Sequence, residues 1–132
     1  MRPHRIASTI FSGLTAVVLI VSSGCTQDPP RPADPDEARL SLSTALDAWK
    51  AGGKPADLLV KTPPVHVLDR DWSAGSKVTS YELEEGRPLG AGIQYPVSLT
   101  LENAKGKSAK KRVVYVVNTG EVVSIARQDL DF

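Results

Sequence analysis

The sequence predicts an α+β fold: one N-terminal amphipathic helix packed on a curved antiparallel β-sheet meander of four or five strands. Three observations predict it. Apolar residues recur at spacings of three and four between Ala38 and Trp49, the period of one helix face. After Pro63-Pro64 the apolar period drops to two, the period of a strand with one buried side. Turn-forming residues then divide the remaining chain into short alternating runs. A helix with one apolar stripe and a sheet with one apolar face each need a partner to cover them, and each can serve as the other's.

The helix begins at Asp34-Pro35-Asp36-Glu37, which supplies an N-cap carboxylate, proline at the first helical position and Glu at the third. Ala38, Leu42, Ala45, Leu46 and Trp49 form its apolar face, and Gly52-Gly53 stops it. One further helical turn is expected over residues 54–59, before Pro63-Pro64 forces extension.

The first strand runs from Val65 to Leu68 and ends at Asp69-Arg70-Asp71, and the second runs from Val78 to Leu83. Gly86 to Gly92 reads as a flexible connection, because it lacks Gly-Lys-Ser/Thr and leads into a strand, unlike a phosphate-binding loop. Ile93, Tyr95, Val97, Leu99 and Leu101 alternate with polar residues in the third strand. Pro96 interrupts that pattern and has no N–H to donate, so its position belongs at an edge, a bulge or a bend. Asn103 to Gly106 turns the chain into residues 112–117, of which Val113, Val114, Tyr115, Val116 and Val117 are apolar on both faces, so the strand is expected to be central. Asn118-Thr119-Gly120 then leads into the last strand, residues 122–127. This order of elements resembles the cystatin-like or nuclear-transport-factor-2-like architecture over residues 34–127, in which a curled sheet wraps a helix. Such folds host enzymes and binding modules alike, so the resemblance implies an architecture and no activity.

Ahead of the domain, Arg2, His4 and Arg5 give a positive start, followed by an apolar run that is continuous from Leu14 to Val21 apart from Thr15. Small residues Ser22, Ser23 and Gly24 precede Cys25, completing the three parts of a secretory signal. The run is far shorter than the ~20 apolar residues a spanning helix needs. Ser-Ser-Gly-Cys at residues 22–25 resembles the cleavage box of bacterial lipoproteins, although Ser22 stands where that family usually has Leu. The resemblance covers residues 1–25 and implies cleavage between Gly24 and Cys25, lipid on the Cys25 thiol and a membrane anchor. Ordinary signal-peptidase cleavage after Ser23 or Gly24, leaving a free thiol, is the alternative. Thr26 is not Asp, so by the same resemblance the chain carries no clear inner-membrane retention signal.

The domain organisation that follows is a signal peptide over residues 1–24, the lipidated Cys25 with a proline-rich spacer over 25–35, and one globular domain over 36–132. Residues 26–35 hold four prolines and no large apolar side chain, the composition of an extended tether. With Arg2 and Arg5 removed, 14 basic residues face 15 acidic ones, and near neutrality gives no support for a general polyanion or nucleic-acid binder. Cys25 is the only cysteine, so once it is acylated no thiol is left for a disulfide.

No catalytic, cofactor-binding or metal-binding constellation stands out. His66 alternates with Val65 and Val67, which turns it to the opposite side of its strand as a surface residue, away from any positioned nucleophile. Asp69 and Asp71 lack the other ligand positions of a calcium loop and read as turn chemistry, with Trp72 covering the end of the core. Lys105, Lys107, Lys110, Lys111 and Arg112 read as a solvated hairpin that protects sheet edges; phosphate contact is the competing reading. The expectation is an exported envelope lipoprotein, periplasmic or on an outer face, acting as a non-enzymatic binding or interaction module. Its partners would be the membrane, through the lipid on Cys25, and an envelope protein meeting the sheet face or an open edge, with no nucleic acid. The alternatives are a purely structural role, or a small-ligand binder or enzyme with a pocket between helix and sheet, lined by Trp49, Tyr81, Tyr95 and Tyr115, although core packing is the use expected of most of these four.

Overall fold

A computed structural model describes Gly13 and residues 31–128. Gly24 and Cys25, and with them the expected cleavage and lipidation sites, lie outside the described residues. The elements are α1 (Pro35–Lys50), a 3-10 helix (Pro55–Val60), β1 (Val65–Leu68), α2 (Arg70–Ser73), β2 (Lys77–Leu83), β3 (Arg87–Leu89), β4 (Gly92–Glu102), β5 (Ser108–Asn118) and β6 (Val123–Gln128). The fold is α+β: one long helix on a curled six-stranded sheet. Among the described residues no helix is long and apolar enough to cross a membrane.

α1 starts where its capping chemistry requires. The Asp34 side chain accepts from the backbone N–H groups of Asp36 and Glu37, and Pro35 occupies the first turn. Its buried residues are Ala38, Leu42, Ala45, Leu46 and Trp49, the five positions of the apolar stripe. Residues 33 and 34, placed by composition in the spacer, are already part of the fold. Ala33 is buried and donates its N–H to Ala91 O at 2.7 Å, and the Asp34 N–H reaches Thr119 Oγ1 at 2.9 Å.

The sheet corrects the expected antiparallel meander in two places. Its order is β1-β6-β5-β4-β2, with β3 also on β4, and β1 pairs with β6 in parallel, so the sheet is mixed. The reason lies in the path between α1 and β1. The 3-10 helix and the Pro63-Pro64 segment carry the chain back along the domain, so β1 sets out from the end at which β6 begins. The Val123 N–H donates to Pro64 O there at 2.9 Å.

The second correction concerns Gly86 to Gly92, which is a hairpin and not a loose connection. Arg87 pairs with Gln94, Pro88 with Ile93, and Leu89 with Gly92, around a two-residue turn in which Gly90 has φ 58°. Gly86 is required by close approach: a Cβ there would stand 2.5 Å from the Tyr95 ring.

Pro96 lies in β4, paired to β5 at Val114 on one side and bordered on the other by the β2–β3 junction. Its carbonyl accepts from Glu84 N–H on the junction side. In a strand the N–H and C=O of one residue point the same way, so the missing donor faces the gap between the last β2 pair, Leu83–Val97, and the first β3 pair, Arg87–Gln94. The position expected at an edge, a bulge or a bend thus faces a break in the neighbouring edge.

Alternate residues Ile93, Tyr95, Val97, Leu99 and Leu101 of β4 are buried, as are Val113, Tyr115 and Val117 of β5 and Val123 and Ile125 of β6. They form one core cluster with the α1 stripe. Leu42 is fully buried and Leu40 is 67% exposed, which gives a direct test of the helix orientation. Leu42→Ala should lower unfolding stability by about 2–5 kcal/mol in urea titration, whereas Leu40→Ala should change it by less than about 0.5 kcal/mol. Equal losses would contradict the placement of α1.

Candidate functional site

Asp69 is a buried charged residue of the described core. It follows β1 directly and caps α2, accepting through Oδ1 from the backbone N–H of Asp71 at 2.8 Å and of Trp72 at 3.1 Å. The same carboxylate receives the Tyr115 hydroxyl on Oδ2 and Arg127 Nη1 on Oδ1, the latter at 3.2 Å. Arg127 Nη1 also donates to Asp71 Oδ2, which Lys111 Nζ approaches at 3.2 Å. The Asp69 and Arg127 side chains are 0% and 2% exposed, so this pairing satisfies charges withdrawn from water. Turn chemistry at Asp69 and burial of Trp72 both match the reading of the sequence, while Arg127 and Tyr115 as partners do not appear in it. A signal was present: Arg127 continues the parity of buried Val123 and Ile125, and a cation on that side of a strand needs a carboxylate.

Electrostatics follow the geometry. Burial works to raise the Asp71 carboxyl, but hydrogen bonds and positive charge from Arg127 and Lys111 outweigh it and hold the group below its ordinary range. Burial, the Asp69 charge and the hydrogen bond to it push the Tyr115 hydroxyl far up, so it stays a neutral donor. Tyr81 is raised to about 12 by burial and by its bond to Asp47. None of these groups is poised to exchange protons near neutrality.

The four aromatics that the alternative reading named for an interior pocket pack in or against the core and join its layers. Tyr81 OH donates to Asp47 Oδ1 at 2.7 Å, Tyr95 OH to Pro35 O at 3.2 Å, and Tyr115 OH to Asp69. Trp49 Nε1 donates to Ser76 O at 2.7 Å, and its ring stacks on Trp72 with centroids 5.2 Å apart and planes 9° apart. Trp72 Nε1 is held by Gly53 O at 2.9 Å. Beside this pair runs a surface groove of about 630 Å³ bordered by Gly52–Ala56 and Ser73–Lys77. Both indoles are nearly buried, at 2% and 6% exposure, so little of either ring reaches the groove.

Among the described residues, no element covers the sheet's other face. Pairing places Ser80, Thr100 and Lys110 in one cross-strand row and Glu82, Ser98 and Arg112 in the next. Gln94, Val116, Ala126 and Leu68 form a third row, with Leu68 58% exposed. The first two rows border a shallow groove of about 570 Å³. A second of about 480 Å³ lies where Glu84 grips Arg112 through two hydrogen bonds of 3.1 and 3.2 Å. His66 is exposed and pairs with Ser124 at the margin of this face. Among the described residues, no three His, Cys, Asp or Glu side chains converge as metal ligands. The lysine hairpin is divided by parity: Lys111 pairs with Asp71 on the helix side, whereas Lys110 faces the open groove.

In comparisons with protein-family models, curated proteins and solved structures, the chain matches none.

The cluster of Asp69, Asp71 and Arg127 makes two predictions. Arg127→Met should cost about 3–5 kcal/mol by leaving Asp69 buried without its cation, and adding Asp69→Asn should restore part of that loss. Simple additivity of the two in a double-mutant cycle would sink the pairing. Because the Asp71 value is lowered by folding, its contribution is present above the ordinary carboxylate value of 3.8 and is lost as pH falls through the lowered one. Asp71→Asn should therefore flatten the acid limb of the stability–pH profile; an unchanged limb would contradict the assignment.

Proposed function

We propose that this chain is a membrane-anchored envelope lipoprotein whose domain is a non-enzymatic binding module. The observation that carries the reading is the division of the sheet into two unlike faces. The inner face spends its hydroxyls, indoles and buried charges on holding α1, α2 and the sheet together. The outer face leaves rows of serine, threonine, lysine and valine side chains open over shallow grooves. Catalysis draws on enclosed, polarised sites, whereas a broad, shallow and partly apolar surface suits association.

Anchoring is supported by the positive start, the apolar run to Val21 and Ser-Ser-Gly-Cys at residues 22–25. The fold would be cystatin-like or nuclear-transport-factor-2-like in its finer classification, on the strength of a helix followed by the β2-β4-β5-β6 antiparallel succession. The parallel β1 is the departure from that pattern.

Localisation provides the test. Wild-type protein should be recovered with membranes, its N-terminus at Cys25 and carrying acyl mass. Cys25→Ala should lose the acyl mass and accumulate as unprocessed precursor or in the soluble fraction. A wild-type mature chain without acyl mass would overturn the anchoring.

A further inference from the structure

The fold has two poles, and the chain leaves the domain toward Cys25 at only one of them. Ala33 is fastened to Ala91 in the β3–β4 turn, and Asp34 to Thr119 beyond the end of β5. From that pole β4 runs its full 11 residues to the β4–β5 turn at the other. At ~3.3 Å per residue the turn lies about 30 Å away. α1 spans the same two poles, with Asp34 capping one end and Trp49 bonded to Ser76, next to Lys77, near the other.

Charge is distributed along this axis, which a net charge near zero conceals. At the far pole stand Lys54, Lys77, Lys105, Lys107 and Lys110, none of them ion-paired among the described residues. Acidic residues nearby include Glu102, which pairs with Lys77 in register, and Asp57, whose Oδ2 accepts the Lys54 backbone N–H. They also include Asp71, which is engaged by Lys111 and Arg127, and Asp47, which accepts from Tyr81. At the near pole the α1 start contributes Asp34, Asp36 and Glu37, and the β5–β6 turn adds Glu121.

We propose that the far pole, from Lys105 and Lys107 down the open row Lys110, Thr100 and Ser80, docks a linear acidic polysaccharide bearing carboxylates. Charge complementarity sets the sign of the partner. Side chains in that row repeat at the strand spacing of ~4.8 Å, so successive units of an extended polymer each meet a donor. The groove lies along the outer sheet surface with a mixed polar and apolar lining, which fits a chain lying across the strands better than a small molecule needing enclosure. Glu82 in the adjoining row, with the serine and threonine hydroxyls, accepts hydrogen bonds from sugar hydroxyls, which a polyphosphate lacks. Stacking of single-stranded nucleic acid has no platform there, because Tyr81, the aromatic at the groove margin, is bonded to Asp47 on the helix side. Orientation away from the anchoring membrane rests on the lipoprotein reading; the chemistry of the surface does not.

The test uses the mature full-length protein, recovered from whichever cell fraction holds it, so its outcome is independent of anchoring. Retention on immobilised alginate, a polyuronate, is compared with retention on neutral dextran across a salt series. Binding should occur at low ionic strength, fade as salt screens it, and be absent on dextran. Lys105→Gln/Lys107→Gln/Lys110→Gln should weaken it about 10-fold or more at unchanged melting temperature. Lys61→Gln, away from the surface, should leave it intact. The proposal is overturned by no retention at low salt, by equal retention on dextran, or by a triple variant that binds like wild type. Stronger binding to phosphatidylglycerol vesicles or to single-stranded nucleic acid overturns it as well.

Discussion

Asp69 is the point on which the rest of the structure depends. One carboxylate with limited lone-pair capacity ends β1, caps α2, and receives a hydroxyl from β5 and a guanidinium from β6. Placing that charge out of water is unfavourable unless all of those donors arrive together. The requirement couples elements distant in sequence: Tyr115 is 46 positions from Asp69, and Arg127 is 58. It accounts for β1 lying beside β6, since only there do the end of β1 and the inner side of β6 meet. Trp72, positioned by the cap, then stacks on Trp49 and closes the core at the end of α1.

With the interior consumed in this way, the domain's remaining chemistry lies outside. Tyr81 and Tyr95 are tied to α1, and their hydroxyls are unavailable to a ligand without loosening the helix from the sheet. The open face is different in kind. It holds cross-strand rows whose side chains are partly exposed, with the Glu84–Arg112 ion pair at its margin. Exposed pairs of that sort contribute little to stability, so they leave the surface adaptable. A bulge in β2 between Val78 and Ser80, together with Lys77, also guards that strand's edge against unintended pairing.

Distribution, more than amount, governs the charge. Sixteen basic and fifteen acidic residues give near neutrality, yet the fold gathers acidic residues about the start of α1 and lysines about the β4–β5 turn. The segregation comes from topology: long antiparallel strands put alternate turns at opposite ends, and each turn carries its own local composition. The basic β4–β5 hairpin thereby becomes a surface at the pole opposite the start of α1.

The sequence by itself determined whatever depends on neighbours along the chain. The α1 stripe, its Asp34 cap, the β4 alternation and the Asp69 turn are local, governed by helical period, strand period and side-chain-to-backbone bonding within three residues. Tertiary structure alone decided the parallel pairing of β1, because a strand's period does not encode its neighbour. It likewise decided the β3 hairpin, where Gly86 makes room for a tyrosine nine residues away, and the break beside Pro96. The partners of Asp69 belong to the same class. A buried charge announces through its parity that it needs a counter-charge, but which residue supplies it depends on strand order, and strand order emerges only when the whole sheet has closed on its helix.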